Sequence, residues 1–452
     1  MREKMQWESL LNPYRIGEDR SVEKSGDGLR SEFERDYDRL IFSHPFRRLQ
    51  DKTQVFPIPE HDFVHNRLTH SLEVSSVGRS LGKSAGAQLL DRHPELKRRF
   101  SPFDFGSITA AACLAHDLGN PPFGHSGEES ISSFFKAEQV YNRFRPLMSE
   151  AEWSDLTNFE GNAQGFRILN NPFERGLTLT MATLAAFTKY PHGSVLSEKI
   201  ADRKSQKKYG YFQNEKTYFE EVATATGLIR LNDESYCRHP LVFLVEAADD
   251  ICYHIIDLED GCRLGLVQFE VVRDLLATIL GDRYDARKLD KIYGENEKIS
   301  LLRALCINQL IYEATDVFIR NEEEILLGNF DKDLISEVAS HEILNAISKL
   351  SIDKLYRSRV VLEKEAGGFE VLENLLSAFC YAVYYKYHKP GDYNGKYRSL
   401  FRLLPDNIQY YIDQEVSFYQ RMLYITDYIS GITDRHAVSL FKRIKGISLP
   451  VG

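Results

Sequence analysis

The sequence predicts a mainly α-helical protein, with one large helical core and further helices toward the C-terminus. Three observations carry this expectation. Apolar residues recur at three- and four-residue spacing in several long segments, which is the helical period. Alternating apolar and polar runs, the mark of half-buried strands, are few. Glycine and proline fall between the periodic segments, as at Gly119, Pro121 and Pro122 and again at Pro191.

Composition narrows the function classes. A chain of 452 residues buries a large core and accommodates one to three domains. Its net charge of −9 argues against a general nucleic-acid coat, so an anionic ligand would need locally gathered basic residues. The six cysteines form no CxxC pair, and several sit in apolar helical surroundings, as buried free thiols do. The first residues, MREKMQWESLLNP, have no apolar signal region. No segment reaches the roughly 20 uninterrupted apolar residues of a membrane span. A cytoplasmic protein without a membrane partner is expected.

Taken in order, residues 1–30 are polar, and Gly26, Asp27 and Gly28 suggest a loop. From Ser31 a charged helical pattern runs to the prolines at 57 and 59, locally basic through Arg35, Arg39, Arg47, Arg48 and Lys52. Next, Leu72, Val74, Val77 and Leu81 mark an amphipathic helix, with Thr69 or Ser71 expected as its cap. His70 sits at its start, and Arg67 lies near enough to serve the same pocket. Alone, such a histidine is more often structural than a ligand.

The stretch AAACLAHDLGNPPFGHSGEES, residues 110–130, organises the chain. An apolar run ends in His116-Asp117, two adjacent metal-capable side chains, and Gly119, Pro121 and Pro122 break the helix. Beyond the break, His125 and Glu128 stand three apart and share a face if a helix restarts. The dipeptide alone proves little, since His61-Asp62 repeats it. Residues 158–171 predict another helix, with Asn162 and Gln164 as polar insertions. A following apolar run ends at Lys189-Tyr190, and residues 192–215 are loop-like and basic, including Lys208. The segment HPLVFLVEAADDICYHIIDLEDGC is apolar nearly all round, which argues for burial. It carries two polar stripes at four-residue spacing, Asp249–Tyr253–Asp257 and Glu246–Asp250–His254, and periodicity does not choose between them. Helical patterns continue beyond residue 270. No Gly-rich phosphate loop, dinucleotide fingerprint or internal repeat is present.

The order His70, His116-Asp117, then an aspartate at 249 or 250, is the H…HD…D pattern of the HD phosphohydrolases. Imidazole and carboxylate ligands of this kind suit a divalent ion with coordination sites left open. The resemblance extends over SEFERDYDRLIF, FRRLQDKTQVFP, RLTHSLEV, AHDLGNPPFGHSGEESI, FEGNAQGFRIL, KYP, HPLVFLVEAADDICY and DYISGITDRHA. In that series, from about Ser31 to Ala437, the chain resembles the bacterial deoxyguanosine triphosphate triphosphohydrolases.

The resemblance implies an N-terminal extension at 1–30, an HD-type catalytic core at 31–275 and a helical C-terminal region at 276–452 packed on it. It assigns a divalent metal (manganese, magnesium or another first-row transition metal) to His70, His116, Asp117 and Asp249. It implies His125 as the catalytic histidine, with Glu128 as its carboxylate partner. It places Gln54 at the deoxyribose 3′-hydroxyl, and Arg67, Asn162, Lys189, Tyr190 and Lys208 along the triphosphate. Tyr253 and Asp257 match substrate-facing positions, which selects the Asp249 stripe.

The implied reaction converts a dNTP to deoxynucleoside and tripolyphosphate. The resemblance also implies a homo-oligomer, often a hexamer in this family, and a dNTP effector, while the basic surface segments leave single-stranded nucleic acid as an alternative effector. The rival readings are another HD phosphohydrolase, acting on nucleoside monophosphates, cyclic nucleotides or an alarmone, and a nucleotide sensor or single-strand-binding scaffold. Two departures stand out: His65 replaces an arginine common in RTRLTHS motifs, and His44-Pro45 precedes FRRL.

Overall fold

Helices make up nearly all the regular structure of the computed structural model, which describes residues 3–21, 30–55, 65–170, 177–201 and 203–448. Among these residues there are 22 α-helices, and β-pairing is limited to isolated bridges. The mainly α expectation therefore holds. His61-Asp62, the Gly26–Gly28 turn and the prolines at 57 and 59 lie outside the described residues.

The centre is a pair of packed helices, Arg67–Arg92 and Pro102–Ala115. A stripe of glycines lets them approach. A Cβ on Gly78 would meet the Cys113 sulfur, one on Gly82 the Phe105 carbonyl at 2.6 Å, and one on Gly86 the Phe105 ring. Partners that descend as the glycines ascend make the pair antiparallel. Gly78, Gly82 and Gly86 form a GxxxGxxxG stripe, a close-packing spacing present in the sequence itself.

The Arg67 helix is capped by Asn66, not by Thr69 or Ser71. The Asn66 side chain accepts from the Thr69 amide, and the Thr69 hydroxyl answers the Asn66 amide. Thr69 is thus the third residue of a capping box, and losing such a cap costs about 1 kcal/mol. The cap fixes the first helical turn, which carries both Arg67 and His70. The segment from Ser31 is two helices, Glu32–Ile41 and His44–Arg48, because Ser43 breaks the run and caps the second with Pro45 in its first turn.

Near the N-terminus, Met5, Trp7, Leu10 and Leu11 are buried, with the Trp7 ring 5.6 Å from Phe105. One hydrophobic cluster takes in residues from Met5 to Val361. A second joins Ile131–Ala163 to residues 371–440. Val361 is the last residue of the first cluster, and from Val371 onward the clustered buried residues belong to the second. The Pro240–Arg263 helix packs on the Arg67 helix, and the Arg359–His388 helix packs on the His125–Lys136 helix. A cleft of about 570 Å³ opens between these layers.

Candidate active site

Four side chains from three helices meet at the base of the cleft. His70 stands on the first turn of the Arg67 helix, while His116 caps the Pro102–Ala115 helix and Asp117 follows it. Asp249 comes from the middle of the Pro240 helix. Ligand atoms of His70, His116 and Asp117 all lie within 4.8 Å of one another. Asp249 Oδ1 lies 3.1 Å from His70 Nε2 and 3.5 Å from His116 Nε2.

The donor set fits a divalent cation. His116 Nδ1 is 2.6 Å from the Cys113 carbonyl, so it carries the proton and leaves the Nε2 lone pair for the site. Arg67 pairs with Asp117 at 2.8 Å, and the Asn120 side-chain amide donates to the other Asp117 oxygen. Burial opposes ionisation of both aspartates. The imidazoles of His116 and His70 nonetheless hold Asp249 well below the carboxylate range, and Arg67 with those imidazoles holds Asp117 down. Burial likewise opposes a charged His70, but the bonded Asp249 carboxylate outweighs it and raises the pKa. The His70, His116 and Asp117 ligand atoms are close enough together to hold one metal ion.

His125 and Glu128 pair at the rim. His125 opens the His125–Lys136 helix with its side chain 92% exposed, so a ligand can reach it. Its Nδ1 lies 3.0 Å from Glu128 Oε2, and Glu128 Oε1 accepts the Gly161 amide at 2.7 Å. Burial raises the Glu128 pKa, but the His125 bond and Lys208 prevail and lower it. Glu160 shifts the other way, through burial and the Glu128 charge. Gly119 permits this arrangement, since any Cβ there would strike the backbone at Gly161 and Gly165.

Gln54, Arg67, Asn162, Lys189, Tyr190, Lys208 and Tyr253 all line the cleft. Gln54 Oε1 is buried without a hydrogen-bond partner among the described residues. Lys189 pairs with Glu246 at 2.9 Å, and Lys208 and Asn162 both bond Glu160 at 2.8 Å. Asp257 does not line the cleft. It lies one turn deeper and accepts the Tyr356 hydroxyl at 2.6 Å, with its pKa pushed up to about 7 by burial. Tyr356 itself forms cleft wall and stacks on Tyr253 at 5.6 Å. Asp257 thus lies behind a wall tyrosine.

Tyr356, Lys364, Glu365 and Phe123 are wall residues that sequence reasoning missed. Tyr356, Lys364 and Glu365 stand more than a hundred residues from the other wall segments, in stretches with no metal or nucleotide pattern. Phe123 lay within the organising stretch but reads as an ordinary apolar residue.

His65, the departure from the common arginine, bonds Asp260 at 2.9 Å and Glu73 at 3.2 Å. Although burial disfavours its charge, the two carboxylates push its pKa up to about 10. A folded pKa above the unfolded value of about 6.5 stabilises the fold fully below that value, and the gain is lost as pH rises through about 10. His65→Gln should therefore lower the melting temperature most near pH 6, and the gap to wild type should close toward pH 10. A gap of constant size across that range would exclude the ion triad as its source.

Residues 67–158 match the family model described as HD domain. Over 98% of this chain and the full length of the relative, the sequence is 42% identical to a deoxyguanosinetriphosphate triphosphohydrolase-like protein of Synechocystis sp.. A protein of the same name from Pseudomonas aeruginosa is 39% identical over 99% of this chain and its own full length. The deoxyguanosinetriphosphate triphosphohydrolase of Yersinia enterocolitica is 28% identical over 91% of this chain and 93% of its own. The chain belongs to the deoxyguanosinetriphosphate triphosphohydrolase-like family of HD-domain proteins.

Proposed function

We propose that the protein is a metal-dependent dNTP triphosphohydrolase that cleaves dGTP, and other dNTPs it admits, to deoxynucleoside and tripolyphosphate. The observation that carries the reading is one cleft with a His-His-Asp group at its base, an exposed, carboxylate-oriented histidine at its rim and lysines between. A manganese, magnesium or related ion held by His70, His116, Asp117 and Asp249 would lower the pKa of water and offset phosphate charge.

The chain's own groups supply the rest. His125, its ring held by Glu128 through Nδ1, keeps Nε2 to protonate the departing 5′-oxygen. Lys189, Lys208, Arg67 and Tyr190 would bind the triphosphate through charge-assisted hydrogen bonds, Lys189 exchanging Glu246 for phosphate. The unpartnered Gln54 Oε1 would accept the 3′-hydroxyl. Tyr253, braced by Tyr356, would close the space beneath the sugar against a ribose 2′-hydroxyl. Assembly as a homo-oligomer and control by a dNTP or single-stranded nucleic acid belong to the same proposal.

Product analysis tests it. Purified protein with manganese should release free tripolyphosphate and deoxyguanosine from dGTP in equal amounts. Accumulation of dGMP with pyrophosphate, or turnover of cyclic nucleotides alone, would replace this reading with another HD phosphohydrolase chemistry.

A further inference from the structure

The DYISGITDRHA stretch lies far from the metal group in sequence and contributes no cleft wall, yet three of its residues grip three elements that form the site. Asp427 takes a bidentate contact from Arg167 at 2.8 Å and the Gln164 amide at 2.8 Å. Both donors stand on the Gly161–Leu169 helix, whose first amide holds Glu128. The Ser430 carbonyl accepts Lys52 Nζ at 2.7 Å, and the same nitrogen donates to the Asn120 carbonyl at 2.6 Å.

Asp434 makes the most direct grip. It is buried, and its Oδ1 accepts the Phe123 amide at 3.1 Å. Oδ2 accepts the Thr53 hydroxyl at 2.7 Å and the Thr53 amide at 3.3 Å, and lies 3.3 Å from Lys364 Nζ. Thr53 precedes Gln54, and Phe123 stands two residues before His125.

Phe123 is also the one non-glycine with positive φ among the described residues, at 66°. A bulky side chain there is strained and persists only where neighbours over-determine it. Two neighbours do so: the Asp434 carboxylate holds its amide, and Gly368 makes room for its ring, since a Cβ on Gly368 would come 2.8 Å from the ring. The strained residue leads through Gly124 straight into the helix whose first residue is His125.

We infer that Asp434 is a positioning residue for His125: its carboxylate fixes the Phe123–Gly124 turn and, with it, the place of the imidazole in the cleft. The inference rests on the hydrolase reading above, because it needs His125 to act on the substrate. It assigns the C-terminal helices Phe418–Gly431 and Asp434–Ile444 a part in the chemistry beyond enclosing a second core.

A double-mutant cycle on dGTP hydrolysis tests it, with metal content and melting temperature recorded for each protein. Asp434→Asn keeps the shape but cannot accept from the Phe123 amide, both Thr53 donors and Lys364 together. It should lower kcat by roughly 10- to 100-fold, the scale of a misplacement of about 1 Å, with KM and bound metal little changed. In a His125→Ala background the same change should cost almost nothing, because the group it positions is gone. Thr53→Val, which removes one donor at similar volume, is the milder variant and should show a smaller loss that also vanishes with His125→Ala. Losses that multiply in the double variants, or a kcat untouched by Asp434→Asn, overturn the positioning role while leaving the hydrolase reading intact. Wild-type protein that releases no tripolyphosphate overturns both.

Discussion

Asp249→Asn is expected to empty the metal site and abolish turnover, while Asp250→Asn retains the metal. The two aspartates are neighbours on one helix, about 100° apart around its axis, and their surroundings differ sharply. Asp249 lies against both imidazoles and is held ionised by them. An amide in its place removes a negative ligand and leaves an uncompensated group beside His70. Loss of a cation worth several kcal/mol to a phosphoryl transition state corresponds to roughly 10³-fold or more in rate. Asp250 is absent from the cleft wall, and burial together with Glu246 pushes its pKa up to about 8. Asparagine keeps the shape of the neutral acid that burial and Glu246 favour at this position. Metal analysis and manganese-dependent melting shifts of both variants check this. An empty site in Asp250→Asn with a full one in Asp249→Asn would reverse the assignment.

His125→Ala should cut turnover by roughly 10²- to 10⁴-fold, the usual scale for a general acid, and leave metal content at the wild-type level. The prediction follows from separation of roles: His125 bonds Glu128 at the rim and belongs to none of the contacts among His70, His116, Asp117 and Asp249. Substrates whose leaving group needs no proton, such as a p-nitrophenyl phosphodiester, should lose far less. Loss of metal together with activity would make His125 a ligand. An equal loss on both substrate types would remove its role as proton donor.

Much of the fold and part of the site were legible in the residue pattern. Helical spacing marked the Arg67–Arg92 and Pro240–Arg263 helices, because burying one face of a helix forces apolar residues onto a 3.6-residue period. Adjacent His116 and Asp117 after an apolar run, and His125 with Glu128 three apart, are local patterns whose geometry follows from helix ends. Caps were less legible: the Asn66 and Thr69 side chains each accept from the other's backbone amide, so either reads as the start.

What the sequence alone determined was which segments are helices and which side chains could share a face. Only the tertiary structure turned Glu246, Asp249 and Tyr253 of the Pro240 helix to the cleft, since the facing depends on how that helix is rotated against the Arg67 helix. It also withdrew Asp257 behind Tyr356, a partner 99 residues away that no local period announces. Likewise the hold of Asp434 on the Phe123 turn spans 311 residues. Local spacing sets which side chains a helix can offer, but contacts at such separations arise only when packing brings the helices together.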